Sequence, residues 1–185
     1  MRICVFCSSS ENVDGVYAEE AQELGLMIAA GGHTLVYGGG GYGLMGAIAR
    51  AVRVNGGEVT GVIPEFMMER KFDGASKLVV TRDMRERKAR MEEMSDAFVA
   101  LPGGFGTLEE ILEVITLAQL GIVRKPVVLM NTLDFWSGLE AVFERLYEEK
   151  FAKPASRSFY HVATGPSAVM SYILSWKPSE HVKKW

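Results

Sequence analysis

The sequence predicts an α/β fold, a single-domain, doubly wound, mainly parallel sheet flanked by helices. Two observations predict it. Short apolar runs alternate with helix-patterned segments along the whole chain. Runs such as Val127-Val128-Leu129-Met130 show no polar alternation, as strands buried on both faces require. Strand–helix alternation with right-handed crossovers then gives an open, Rossmann-like sheet. The 185 residues fit one domain, 1–185, with a substantial core and no repeat, low-complexity stretch or linker.

The strands are expected at 2–7, 33–37, 58–63, 77–81, 96–101 and 126–130, each a short apolar run. Helices are expected at 15–30, 43–54, 83–94, 107–120, 135–149 and 166–175. The stretch from about 151 to 164, with Pro154, reads as an irregular crossing before the last helix. Cys4 and Cys7 fall on alternate faces of the first strand, which argues against a mutual disulfide and for two buried thiols in a reducing compartment. The chain opens directly into a strand rather than a signal peptide, and no apolar run reaches the roughly 18 residues of a membrane span. A cytoplasmic protein without membrane contact is expected. The net charge of −3 gives no electrostatic case for nucleic acid.

In such a sheet, ligands bind beyond the carboxyl ends of the strands. Three loops at those ends are chemically marked. Ser8-Ser9-Ser10 follows the first strand, and Gly38-Gly39-Gly40-Gly41-Tyr42-Gly43-Leu44-Met45-Gly46 follows the second. Pro102-Gly103-Gly104-Phe105-Gly106-Thr107-Leu108-Glu109-Glu110 follows the fifth and runs straight into a helix. A glycine loop entering a helix collects free N–H groups and the positive end of the dipole, which suits a phosphate. Gly41-x-Gly43-x-x-Gly46 also matches the dinucleotide fingerprint in form. It does not sit on the first strand, however, and neither Glu58 nor Glu65 stands cleanly where the ribose ligand is expected. Neither glycine loop carries the Walker lysine, so nucleoside triphosphate hydrolysis is not indicated.

Thr107 through Glu110 has the form of a capping box, with Thr107 as N-cap and Glu110 reaching back from N3. That position also places a carboxylate beside the N–H groups of an anion site, so cap and catalyst both remain open. Arg82 through Arg90 is a charged run at a helix start, where such runs are usually solvated faces. Cations there oppose the dipole, and Arg87, Lys88 and Arg90 precede the strand that feeds the Pro-Gly-Gly loop, so a ligand role is a second reading. The histidines His33, His161 and His181 are scattered without ligand spacing, so no metal is expected.

Taken together these segments resemble the LOG family, cytokinin riboside 5′-monophosphate phosphoribohydrolases once mislabelled as lysine decarboxylases. The family signature Pro-Gly-Gly-x-Gly-Thr-x-x-Glu matches Pro102 through Glu110 at every fixed position. The resemblance extends to Tyr37-Gly38-Gly39-Gly40, Gly43-Leu44-Met45-Gly46, Met84-x-x-Arg87-Lys88, and Ala118-Gln119-Leu120-Gly121-Ile122 with Lys125-Pro126. No lysine stands in a recognisable pyridoxal-phosphate context, so the decarboxylase label has no chemical support. The resemblance implies that Arg87 and Glu110 are the catalytic pair. It places Lys88, Gly103, Gly104, Phe105, Gly106, Thr107, Leu108 and Glu109 around the nucleotide, with Ser8, Gly39, Gly40 and Met84 on the same rim. Glu69 and Thr116 fall at the spacing of two further substrate contacts. The implied substrate is a nucleoside monophosphate, cleaved without cofactor to free base and ribose 5-phosphate by a homodimer. An N6-prenyl tail would need an apolar slot, for which Met84, Met45 and Phe105 are candidates. The alternatives are a non-catalytic carrier of a nucleotide or molybdenum cofactor, on a fold of the same kind, and a nicotinamide-dependent oxidoreductase.

Overall fold

A computed structural model describes residues 1–178. Seven strands form one sheet in the order β4-β3-β2-β1-β5-β6-β7, with every neighbouring pair parallel. They are β1 (Arg2–Phe6), β2 (Thr34–Tyr37), β3 (Glu58–Pro64), β4 (Lys77–Thr81), β5 (Ala97–Ala100), β6 (Val127–Met130) and β7 (His161–Ala163). Helices α1 (Gly15–Ala30), α2 (Gly43–Val54), α3 (Met84–Glu93), α4 (Phe105–Gln119), α5 (Ser137–Glu148) and α6 (Pro166–Ser175) connect them. The order runs outward from β1 in both directions, so the topological switch point lies between β1 and β5, where a ligand crevice opens in doubly wound sheets.

Because β1 is central, both of its faces are covered. Ile3, Val5 and Cys7 belong to the core beneath α1, α2 and α6, built with Leu24, Ile48 and Val169. Cys4 and Phe6 belong to the core beneath α3, α4 and α5, built with Met91, Ile111 and Phe143. The two thiols are therefore free and buried on opposite faces, as period-two alternation requires.

Three expectations need correction. The predicted irregular crossing contains β7, three residues long and too short to show periodicity, plus a 3₁₀ turn at Pro154–Phe159. A second 3₁₀ turn, Glu65–Arg70, follows β3. Most consequentially, α4 starts at Phe105 with Gly104 as its N-cap, so Thr107 is not the cap and no capping box forms. The extended backbone of Gly104, φ −86° and ψ −158°, lets the chain enter the helix without a side-chain cap. Glu110 consequently stands one turn deeper than the capping-box reading put it. Among the described residues no helix is long and apolar enough to cross a membrane.

The loop that precedes α2 is held by how α2 packs on α1. At Gly25 a Cβ would lie 2.9 Å from the Ile48 carbonyl oxygen and 2.9 Å from the Ala51 Cβ, so only glycine permits this approach. Gly25→Val should destabilise the fold by roughly 1–3 kcal/mol through overpacking. Urea unfolding checks this, and an unchanged midpoint would show that the two helices separate freely.

Candidate active site

The carboxyl ends of β1, β2, β3 and β5 surround a cavity of about 410 Å³. Ser8, Ser9 and Ser10 from the first loop form one wall, Gly38, Gly40, Tyr42 and Met45 a second, and Gly104, Gly106, Thr107 and Glu110 a third. Ile63, Met67, Arg70, Met84 and Arg87 complete it.

Arg87 reaches the cavity floor from α3, whose start is fixed by Asp83 accepting from the amides of Arg85 and Glu86, both at 2.9 Å. Its Nε donates to the Val62 carbonyl at 3.0 Å, and its Nη1 donates to Glu110 Oε1 at 2.6 Å. The pair is buried, with side chains 5% and 6% exposed. Gly38 makes this crossing possible, because a Cβ there would lie 2.0 Å from Arg87 Nη2. Burial pushes the Glu110 carboxyl above the usual glutamate range, and the Arg87 charge and hydrogen bond only partly offset that rise. A carboxylate poised in this way, beside a cation, suits proton transfer or stabilisation of positive charge.

The amides of Phe105, Gly106 and Thr107 form the first turn of α4, where helix geometry leaves N–H groups without intrahelical acceptors. Gly103 makes room for Thr107, since a Cβ at Gly103 would lie 2.1 Å from Thr107 Oγ1. The facing glycine loop is clamped to the 3₁₀ turn. Gly41 N donates to the Arg70 carbonyl and Phe72 N to the Gly39 carbonyl, each at 2.9 Å. Gly39 takes φ +78° against the Ile63 side chain, a conformation that disfavours any larger residue. The Met45 amide donates to the Ser8 carbonyl at 3.3 Å, which ties this loop to the serine loop.

Of the residues singled out from sequence, Ser8, Gly40, Met84, Arg87, Gly104, Gly106, Thr107 and Glu110 line this cavity together. Gly39 and Gly103 stand behind its wall. Phe105 points outward, 92% exposed, and Leu108 packs against the core beneath α4. Glu69 and Thr116 lie on the surface, with the Thr116 hydroxyl donating to the Leu112 carbonyl at 2.7 Å. Lys88 and Glu109 bond to each other outside the cavity. The sequence reading missed Arg70 and Tyr42, whose guanidinium and ring stack at 5.3 Å on the cavity rim. The 3₁₀ turn brings Arg70 to the cavity rather than Glu69, a rotation that no spacing rule reveals. Among the described residues no group of three or more His, Cys, Asp or Glu could hold a metal, and His181 lies outside those residues.

A family model described as "Possible lysine decarboxylase" matches residues 45–173. A cytokinin riboside 5′-monophosphate phosphoribohydrolase of Arabidopsis thaliana is 47% identical over 169 residues, covering 90% of this chain and 78% of that protein. A probable enzyme of the same name from Oryza sativa subsp. japonica is 43% identical over 184 residues, covering 98% of this chain and 75% of that protein. The fold is also that of a molybdenum cofactor binding protein from Rippkaea orientalis, 25% identical with a TM-score of 0.75, covering 94% of this chain and 95% of that one. A molybdenum cofactor carrier protein from Chlamydomonas reinhardtii, 23% identical with a TM-score of 0.72 over 94% of this chain and 95% of that one, shares the fold alone. By its match over these residues and its identity to these enzymes, the chain belongs to the LOG family of cytokinin riboside 5′-monophosphate phosphoribohydrolases, whose family model keeps the decarboxylase description.

Proposed function

We propose that this chain hydrolyses the N-glycosidic bond of an N6-substituted adenosine 5′-monophosphate, releasing the free base and ribose 5-phosphate. The observation that carries the reading is the buried Arg87–Glu110 pair, which lies on the floor of a cavity whose wall is a helix N-terminus. The relatives named for this reaction support the same substrate class. The molybdenum cofactor binding proteins of like fold make a carrier the rival reading. A carrier has no use for a buried catalytic ion pair, whose desolvation is costly.

The chemistry follows from the bond broken. As C1′–N9 cleaves, its electron pair leaves with the base and positive charge grows on the ribose C1′. Glu110, held ionised by Arg87, stabilises that charge and takes a proton from the attacking water. The water oxygen ends on C1′, and the proton ends on the departing base. The first-turn amides of α4 and the Thr107 hydroxyl hold the 5′-phosphate, which fixes the sugar near Glu110. Met45, Met67, Met84 and Ile63 give the base and its N6 substituent an apolar wall. Phe105 faces out of the cavity, which favours the methionines over it for the tail. Exposed Phe105, Phe66, Leu112 and Met84 support a homodimer with sites near the subunit interface, acting in the cytoplasm in cytokinin formation.

Three outcomes are expected. Glu110→Gln should bind AMP within about twofold of wild type in a calorimetric titration while losing at least about 10³-fold in turnover. Wild-type turnover in that variant would remove Glu110 from the chemistry. Because burial raises the Glu110 carboxyl, activity should fall on acidification along a limb above the ordinary value of 4.5. A kcat/KM profile flat down to that value would show that no raised carboxylate is needed. Gly38→Ala should keep its thermal midpoint close to wild type, because only the flexible end of Arg87 must move. It should nevertheless lose roughly 10²-fold in kcat through the displaced guanidinium. Full activity would mean the Arg87 position is not critical.

A further inference from the structure

Behind Glu110, on the side away from the substrate cavity, lies a void of about 10 Å³ bounded by Phe6, Lys88, Glu92, Glu110 and Glu113. Lys88 is the only cation on it. Its ammonium bonds to Glu109 and also, at 2.9 Å, to Glu113, and its side chain is 16% exposed. These two carboxylates stand on α4 on either side of Glu110 in sequence, whereas Lys88 follows Arg87 on α3. Two consecutive residues of α3 therefore grip α4 at Glu109, Glu110 and Glu113. Arg87 takes the residue facing the cavity, and Lys88 takes its neighbours on the far side.

We infer that Lys88 is a positioning residue for Glu110 rather than a ligand of the nucleotide. Its charge supports the ionised carboxylate from behind, and its two ion pairs fix the rotation of α4 that presents Glu110 to the sugar. The inference rests on the reading of Glu110 as the group that acts on the glycosidic bond. Lys88 does not line the substrate cavity, and both of its acidic partners lie on the helix that carries Glu110. The charged and titratable groups facing Glu110 are Arg87, Lys88 and Glu92 from α3, Cys4 and Cys7 from β1, and Glu109 and Glu113 from its own helix. Burial pushes both thiols up, so they stay neutral in the range of interest. On Glu110 itself, Arg87 and Lys88 act to lower the carboxyl and Glu109 acts to raise it. Removing Lys88 leaves Glu109 and Glu113 uncompensated, so the Glu110 carboxyl should rise further and ionise at higher pH.

The test is the pH profile of kcat/KM for Lys88→Met and Lys88→Arg, with AMP as the substrate and KM and kcat resolved. Lys88→Met should move the acid limb up by roughly one pH unit and lower kcat about 3- to 10-fold near neutrality, with KM changed less than about twofold. Lys88→Arg should restore the wild-type limb. A KM raised about tenfold or more on an unmoved limb would make Lys88 a substrate ligand and overturn the inference. A lowered thermal midpoint with limb and kcat unmoved would leave only a structural tie and would also overturn it. If Lys88→Met does not fold, Glu113→Gln carries the test, since it frees Lys88 charge toward Glu110 and should move the limb down. An unmoved limb there would refute the idea. Wild-type turnover in Glu110→Gln would instead sink the reading of the site itself, whereas a dead Glu110→Gln beside an unshifted Lys88→Met sinks only the role of Lys88.

Discussion

The contact between Arg87 and Glu110 constrains everything around it. Two charges taken out of water are tolerated only as a well-bonded pair, and either one alone would be strongly destabilising. The structure therefore has to bring α3 and α4 to a fixed separation, with the Arg87 Nε on the Val62 carbonyl and Nη1 on Glu110. Gly38 follows from the same demand, because any side chain there would occupy the path of the guanidinium. So does the early start of α4, which turns Glu110 inward instead of leaving it as a helix cap.

The sheet order explains why this pair meets a phosphate-shaped cradle. With β1 between β2 and β5, the serine loop, the first glycine loop and the Pro-Gly-Gly loop all emerge at one edge. Each loop contributes a different property. The α4 terminus offers unpaired amides, the clamped loop at Gly39–Gly41 offers a rigid wall without side chains, and the methionines offer a deformable apolar face. Charge and its counter-charge sit on the floor, while Arg70 and Tyr42 close the rim. Such division suits a ligand that is anionic at one end and apolar at the other.

Much of this was legible in the chain. Unbroken apolar runs marked six strands, and the parallel sheet followed from their alternation with helices. Three features were not legible, each for a physical reason. β7 pairs with β6 through only three residues, so it shows no period of its own. The capping box was present as letters, but adjacent glycines let the helix begin two residues sooner, and local preference yielded to the ion pair. Arg70 was hidden because a 3₁₀ turn turns residues toward different directions from an α-helix or strand, so spacing pointed to Glu69. Lys88 could be named as charged from sequence, yet only the fold shows which side of α4 it faces.

The central claim is that the cavity cleaves a bond rather than holding a ligand. Incubating the purified chain with AMP and with N6-isopentenyl AMP, and separating the products by chromatography, tests it most directly. Catalytic release of free base and ribose 5-phosphate in equal amounts over many turnovers is the predicted result. Recovery of the intact nucleotides, bound but uncleaved, would contradict it and leave the chain a carrier.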